Sequence, residues 1–187
     1  MQRANLILAL ISVLISGCSI IIPKMKPEDF SHKTPILIPE QYFAGDTRGL
    51  GVFYNRFGTL KTSFTVDLNG SWDGSKILTL KETLKYEDGT VTARTFTITK
   101  LSEHLYSVEM PDLAGPGKIE AYGNCLRWSY RLKQDIGGGR IVTLTFDDWM
   151  FLQDDGVVLN RAYASKFGIN LGEVIMSVFP KKHLPQS

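Results

Sequence analysis

The stretch CLRWSYRL, Cys125 to Leu132, puts Leu126, Trp128, Tyr130 and Leu132 on one side of an extended chain and Arg127, Ser129 and Arg131 on the other. Successive side chains of a strand point to opposite faces, so this pattern reads as a strand with one buried face. The alternation continues in both directions. Phe64, Val66 and Leu68 alternate with Ser63, Thr65 and Asp67, and Val142, Leu144, Phe146, Met150 and Leu152 share a face further on. Turn chemistry separates these runs: Asn69-Gly70, Asp88-Gly89, Gly115-Pro116-Gly117, Gly137-Gly138-Gly139 and Asp155-Gly156. Leu171 to Val178 also matches helical spacing, but its β-branched residues favour a strand. About eight to ten strands joined by short hairpins predict an all-β, antiparallel up-and-down barrel, wide enough for one small ligand.

Charges on the apolar faces are the candidate functional residues. Glu82 interrupts the face of Leu78, Leu80, Leu84 and Tyr86, and Arg94 interrupts that of Thr92, Phe96 and Ile98. A three-residue turn at Glu87-Asp88-Gly89, with Gly89 left-handed, sets Glu82 directly opposite Arg94. A lone charge in an apolar interior is costly, so the two are expected to pair, either as a structural ion pair or facing a ligand.

In FDDWMFLQDDGVVLNRA, Phe146 to Ala162, Asp148 interrupts a second apolar face. If Asp154-Asp155-Gly156 turns in the same way, Trp149 lies opposite Arg161, and Asp148 lies opposite Ala162 with Asn160 beside it. A two-residue turn would instead put Asp148 on one face with Arg161. Either arrangement holds a carboxylate near Arg161 or Asn160 among apolar groups, where it could anchor a polar headgroup or have its pKa perturbed. Asp147, Asp148, Asp154 and Asp155 lack the spacing of a calcium loop, so no metal is expected. No motif calls for a cofactor, and no hydrolase elbow or zinc-protease signature is present, so catalytic residues are not assigned.

The amino terminus carries an address. Arg3 precedes an apolar run, Leu6 to Ile15, that is too short for a spanning helix of about 20 residues and fits a secretory signal. Ile15-Ser16-Gly17-Cys18 looks like a bacterial lipobox, with Cys18 as the lipidated first mature residue. The expected organisation is a signal peptide over 1–17, a proline-rich tether over 18–41, a barrel over 42–180 and a tail over 181–187. At about 3.1 Å per residue, twenty extended tether residues would reach roughly 60 Å, although Ile36, Leu37 and Ile38 are apolar enough to lie against the domain. With Cys18 acylated, Cys125 is left without a disulfide partner and is expected to be buried. A formal net charge of +2 offers no patch for nucleic acid. Lys81, Lys85, Arg127 and Arg131 on outward faces argue against a membrane-spanning barrel, at roughly 2–4 kcal/mol each near mid-bilayer.

Several short motifs carry a resemblance. YFAG at Tyr42 to Gly45, GLGVF at Gly49 to Phe53, NRFG at Asn55 to Gly58, FDDWM at Phe146 to Met150, NRA at Asn160 to Ala162 and SKFG at Ser165 to Gly168 together resemble a family of proteobacterial lipoproteins known as domain of unknown function 3833. The resemblance implies a lipoprotein signal, one calycin- or lipocalin-like barrel and no assigned activity. Gly51-Val52-Phe53 stands where lipocalins carry G-x-W, and Gly70-Ser71-Trp72 follows one hairpin later.

The resulting expectation is a lipid-anchored module of the bacterial envelope, on the outer membrane facing the periplasm, that carries a lipid or other hydrophobic small molecule. The apolar strand faces and aromatics such as Trp128, Tyr130 and Phe96 would contact its apolar part, and Glu82, Arg94, Asp148 or Arg161 its polar end, with Trp149 and Asn160 as neighbours. The alternatives are an envelope scaffold with a packed barrel, or an enzyme acting on lipid-derived substrates. The expected partners are the membrane, through the lipid anchor, and a hydrophobic small molecule; protein partners are left open.

Overall fold

The computed structural model describes residues 24–135 and 138–181. The expected signal peptide, Cys18, the first tether residues and the tail beyond 181 lie outside them. Ten strands form a closed antiparallel barrel: β1 (Gly45–Asn55), β2 (Leu60–Trp72), β3 (Ile77–Tyr86), β4 (Val91–Lys100), β5 (Leu105–Glu109), β6 (Gly117–Tyr122), β7 (Cys125–Asp135), β8 (Ile141–Leu152), β9 (Val158–Lys166) and β10 (Ile169–Pro180). Each strand pairs with its sequence neighbours, and β1 pairs with β10 to close the wall. This is the up-and-down topology that the hairpin pattern predicts, and Leu171 to Val178 is strand.

The local chemistry of the turns fixes the register. Gly89 adopts φ +85°, and the Tyr86 N–H donates to the Thr90 carbonyl at 2.9 Å. Leu84 therefore faces Thr92, and Glu82 faces Arg94. At the second acidic turn Gly156 has φ +82°, Asp148 faces Ala162, and Trp149 faces Arg161.

The barrel has two unlike ends. One is sealed by the segment before β1. A 3-10 turn over Pro27–Phe30 lies against β6 and β7, and a single helical turn, α1 (Pro39–Tyr42), follows it. Leu37 and Phe43 are buried in the core, and the Leu37 N–H donates to the Gly123 carbonyl at 2.8 Å. Gly70 is required beneath this plug, because a Cβ there would lie 1.7 Å from the Phe43 carbonyl oxygen.

Glu40 is also buried in the plug. It pairs with Lys100 and accepts a hydrogen bond from the Tyr106 hydroxyl at 2.8 Å. Burial disfavours its charge, but the bonds from Lys100, its own backbone and Tyr106 outweigh burial and hold its pKa below the ordinary value. Packing thus reaches back to Pro27, and the residues from there to β1 add nothing to the reach of a tether.

Inward side chains of the sealed half, among them Leu78, Ile98, Val108, Ile119, Leu126 and Val158, form a closely packed core. Toward the other end the inward residues Phe53, Phe64, Leu84, Thr92, Leu144, Phe146 and Val174 remain partly accessible. Among the described residues no plug covers this end, which is ringed by the β1–β2, β3–β4, β7–β8 and β9–β10 turns. The wall is also thinnest on one side. β5 and β6 are half as long as their neighbours, and residues 110–116 fill the gap between the upper parts of β4 and β7 with one isolated bridge, Leu113 to Leu132.

Candidate functional site

The polar residues that interrupt the apolar faces meet at mid-height inside the barrel, between the packed half and the open half. Alternation points Glu82 (β3), Arg94 (β4), Tyr130 (β7), Asp148 (β8) and Asn160 (β9) inward. Arg94 Nη1 lies 3.9 Å from Glu82 Oε1, an ion pair without close hydrogen-bond contact. Their side chains are 22 % and 19 % accessible although both point into the barrel, so this surface faces the interior space of the open half. Asp148 and Asn160 are buried, and the Asn160 amide donates to the Trp149 carbonyl at 3.4 Å.

The electrostatics follow from two carboxyls set among apolar groups, with one guanidinium, Arg94, beside Glu82. Burial pushes Glu82 up to about 7, against the pull of Arg94. Burial also pushes Asp148 up to about 7, reinforced by Asp147 and Glu82 and opposed by the Tyr130 hydroxyl and the Asn160 amide. Burial, with Asp148 and Glu82 nearby, drives the Tyr130 phenol well above its ordinary value, so it stays a neutral donor. At neutral pH the two carboxyls together hold about one proton.

Above this cluster lies an aromatic lining. Tyr130 stacks on Phe146 with centroids 5.1 Å apart, and Phe64 meets Tyr86 at 6.0 Å. Below it, Trp128 packs edge-on against Phe96 at 5.0 Å. Three buried donors on the inner face, Thr47 Oγ1 in the sealed half and Trp128 Nε1 and Thr92 Oγ1 nearer the cluster, have no partner among the described residues. An unpaired buried donor costs about 1–3 kcal/mol, so such groups favour a ligand that supplies an acceptor.

Glu82, Arg94, Trp128, Tyr130, Asp148 and Asn160 are therefore gathered at the lumen, whereas Trp149 and Arg161 are not. Their register positions alternate with those of Asp148 and Asn160, so both side chains lie on the outer wall. Arg161 bonds Glu173 at 2.7 Å and covers Tyr163, and Trp149 is buried beneath Arg127, whose guanidinium holds Asp147 at 2.6 and 3.1 Å. These are structural pairs of the outer wall. Cys125 is fully buried, and burial pushes its thiol up to about 12, which leaves it unreactive. Among the described residues, no group of three or more His, Cys, Asp or Glu is placed to hold a metal.

Sequence reasoning missed Glu40 and its partners and did not single out Phe53, while Phe64 and Phe146 were read as members of apolar faces. A glutamate directly after a proline inside an apolar run, Ile36-Leu37-Ile38-Pro39-Glu40, was the available signal for the first.

The fold and the chain have counterparts among known proteins. The S-type phycobiliprotein lyase CPES from Guillardia theta, a lipocalin-like barrel, superposes with a TM-score of 0.55 at 10 % identity, covering 86 % of this chain and 96 % of that one. No curated protein matches the chain. The family model described as protein of unknown function (DUF3833) matches residues 12–181, and with its ten-stranded, closed barrel the chain belongs to that family.

Proposed function

We propose that this barrel holds a small amphipathic molecule in its open half, with the apolar part against Phe64, Tyr86 and Phe146 and the polar end at the Glu82–Arg94–Asp148 cluster. The observation that carries this reading is the position of the cluster: five polar side chains converge inside the wall, on a packed floor and below an accessible aromatic lining. Binding pockets are mostly apolar with a few placed polar groups, and this half has that composition. The likeness to a lipocalin-like barrel supports the architecture.

The chemistry of the cluster narrows the polar end. With about one proton held between the two carboxyls, one negative charge is set against one guanidinium, so the cluster offers a free carboxylate or phosphate no net attraction. A hydroxyl, amide or amine can donate to Glu82 or Asp148, and a hydroxyl or amide can also accept from Trp128 Nε1 or Thr92 Oγ1. The ligand class is thus a long-chain alcohol, amide or amine type of molecule. In keeping with the lipobox-like Ile15 to Cys18, the chain would act as a lipid-anchored carrier in the bacterial envelope, facing the periplasm from the outer membrane.

Native mass spectrometry of residues 24–187, purified without detergent, tests the reading. A bound hydrophobic mass, or uptake of a long-chain alcohol or amide in preference to the fatty acid of equal length, is expected. A clean protein mass with no uptake of any of the three overturns it in favour of a packed scaffold.

A further inference from the structure

The mouth of the barrel exposes side chains that the fold does not need there. Phe167 and Gly168 form the two-residue turn between β9 and β10, with φ +52° and +78°. Such a turn favours Asn-Gly, and a bulky residue with positive φ is disfavoured. Phe167 nonetheless occupies it and is 93 % exposed. A strained backbone carrying a fully hydrated aromatic ring has no packing rationale, which directs attention to something outside the chain.

The feature is not isolated. The neighbouring β1–β2 loop presents Phe57 at 76 % and Leu60 at 51 % exposure, and Ile169 follows at 58 %. The two loops are held together by the Arg56 N–H, which donates to the Leu171 carbonyl at 2.9 Å. Cations sit over both rings: Arg56 lies 4.6 Å from the Phe57 centroid, and Lys166 lies 5.4 Å from that of Phe167. Around the whole mouth, Arg56, Lys61, Lys85, Lys133, Arg140 and Lys166 stand against Glu87, Asp88 and Asp135. The sealed end also exposes Ile36, Ile77 and Leu101, but there Lys26, Lys33, Lys76 and Lys181 stand against Glu28, Asp29, Asp73, Glu103, Asp154 and Asp155.

Exposed aromatic and aliphatic tips set among Lys and Arg are the composition that seats a protein in an anionic lipid interface, where rings enter the acyl boundary and cations meet phosphates. We infer that the Phe57–Phe167 side of the mouth docks on an anionic bilayer surface. This docking goes beyond ligand carriage and stands whether or not the lumen is loaded.

The full chain carrying Phe167→Trp tests it, read against the unsubstituted chain for the contribution of Trp72, Trp128 and Trp149. With vesicles of phosphatidylglycerol and phosphatidylcholine, the added tryptophan is expected to shift to shorter wavelength and to be quenched by acyl-brominated lipid. Arg56→Glu with Lys166→Glu in the same background should weaken this at least tenfold, and phosphatidylcholine alone should give a response at least tenfold weaker. If the chain sediments with vesicles while the added tryptophan keeps its aqueous emission, contact is made by the amino-terminal segment and the inference fails. A concentration-dependent shift without vesicles shows a second copy covering this face, which also overturns it. Phe57→Trp on the adjoining loop serves if the β9–β10 turn does not tolerate tryptophan, with the same two outcomes.

Discussion

The two halves of the barrel are built from the same strands and yet obey different rules. In β3, Leu78 is buried in the sealed half and Leu84, six residues on and on the same face, is partly accessible in the open half. In β8, Leu152 is buried and Leu144 is not. The difference comes from what lies across the lumen. The sealed half is filled by Leu37 and Phe43 of the plug, whereas the open half faces a polar cluster and no covering segment. One continuous sheet therefore serves as a core at one end and as a receptacle at the other.

The largest effect should come from the same substitution in the two halves. Leu78→Ala is expected to cost about 3–4 kcal/mol, because a closely packed site leaves a cavity, and Leu84→Ala about 1 kcal/mol. Urea denaturation of both variants measures the gap. Equal losses would mean that the open half is as tightly packed as the sealed one, and the distinction between core and receptacle would collapse.

The central cluster gives the next effect. Glu82 and Asp148 have folded pKa values raised to about 7, so between about pH 4.5 and 7 the folded chain holds protons that the unfolded chain has released. Their contribution to stability is present at the acid end of that window and is lost as pH rises through it, by an amount on the order of 3–4 kcal/mol for either group and less than additive for the coupled pair. Glu82→Gln with Asp148→Asn should flatten this slope and weaken uptake of a long-chain alcohol. An unchanged slope would show that neither carboxyl is held protonated by its surroundings. Glu40, whose pKa is lowered, behaves oppositely: its contribution is lost as pH falls.

The smallest effect belongs to the outer wall. Arg161→Ala should change stability by no more than about 0.5 kcal/mol and leave ligand uptake unaltered, because the pair with Glu173 is solvent-exposed. A loss of uptake in a ligand titration would put Arg161 back among the binding residues.

Much of this arrangement was legible in the sequence, and the limits are physical. Period-two alternation reveals which residues share a face, so Glu82, Arg94 and Asp148 stood out wherever they broke an apolar run. The left-handed Gly89 supplied the register of one hairpin, and at Gly156 the structure chose between the two turns the sequence allowed. Alternation says less about a residue such as Trp149, which is buried on the outside beneath a guanidinium. Nor does it reveal contacts across sequence distance. Glu40 meets Lys100 and Tyr106, sixty and sixty-six residues on, and no local pattern records that meeting. The proline-rich segment read as a tether for the same reason: its partners, Gly123 and the edge of the core, are contributed by the far side of the barrel.

The plug also fixes which way the molecule points. The chain enters at the sealed end, so anything attached ahead of Lys24 hangs from that end and the mouth looks the opposite way. If Cys18 is acylated, only a short leash separates it from the packed 3-10 turn at Pro27; nine residues at about 3.3 Å each extend roughly 30 Å. β1 alone, at about 3.3 Å per residue, is of similar length. The barrel would then stand on its base with its greasy, cationic lip turned away from the membrane that holds it. With that anchor and the proposed docking together, the chain would be moored at one pole and adhesive at the other, which is the polarity of a bridge.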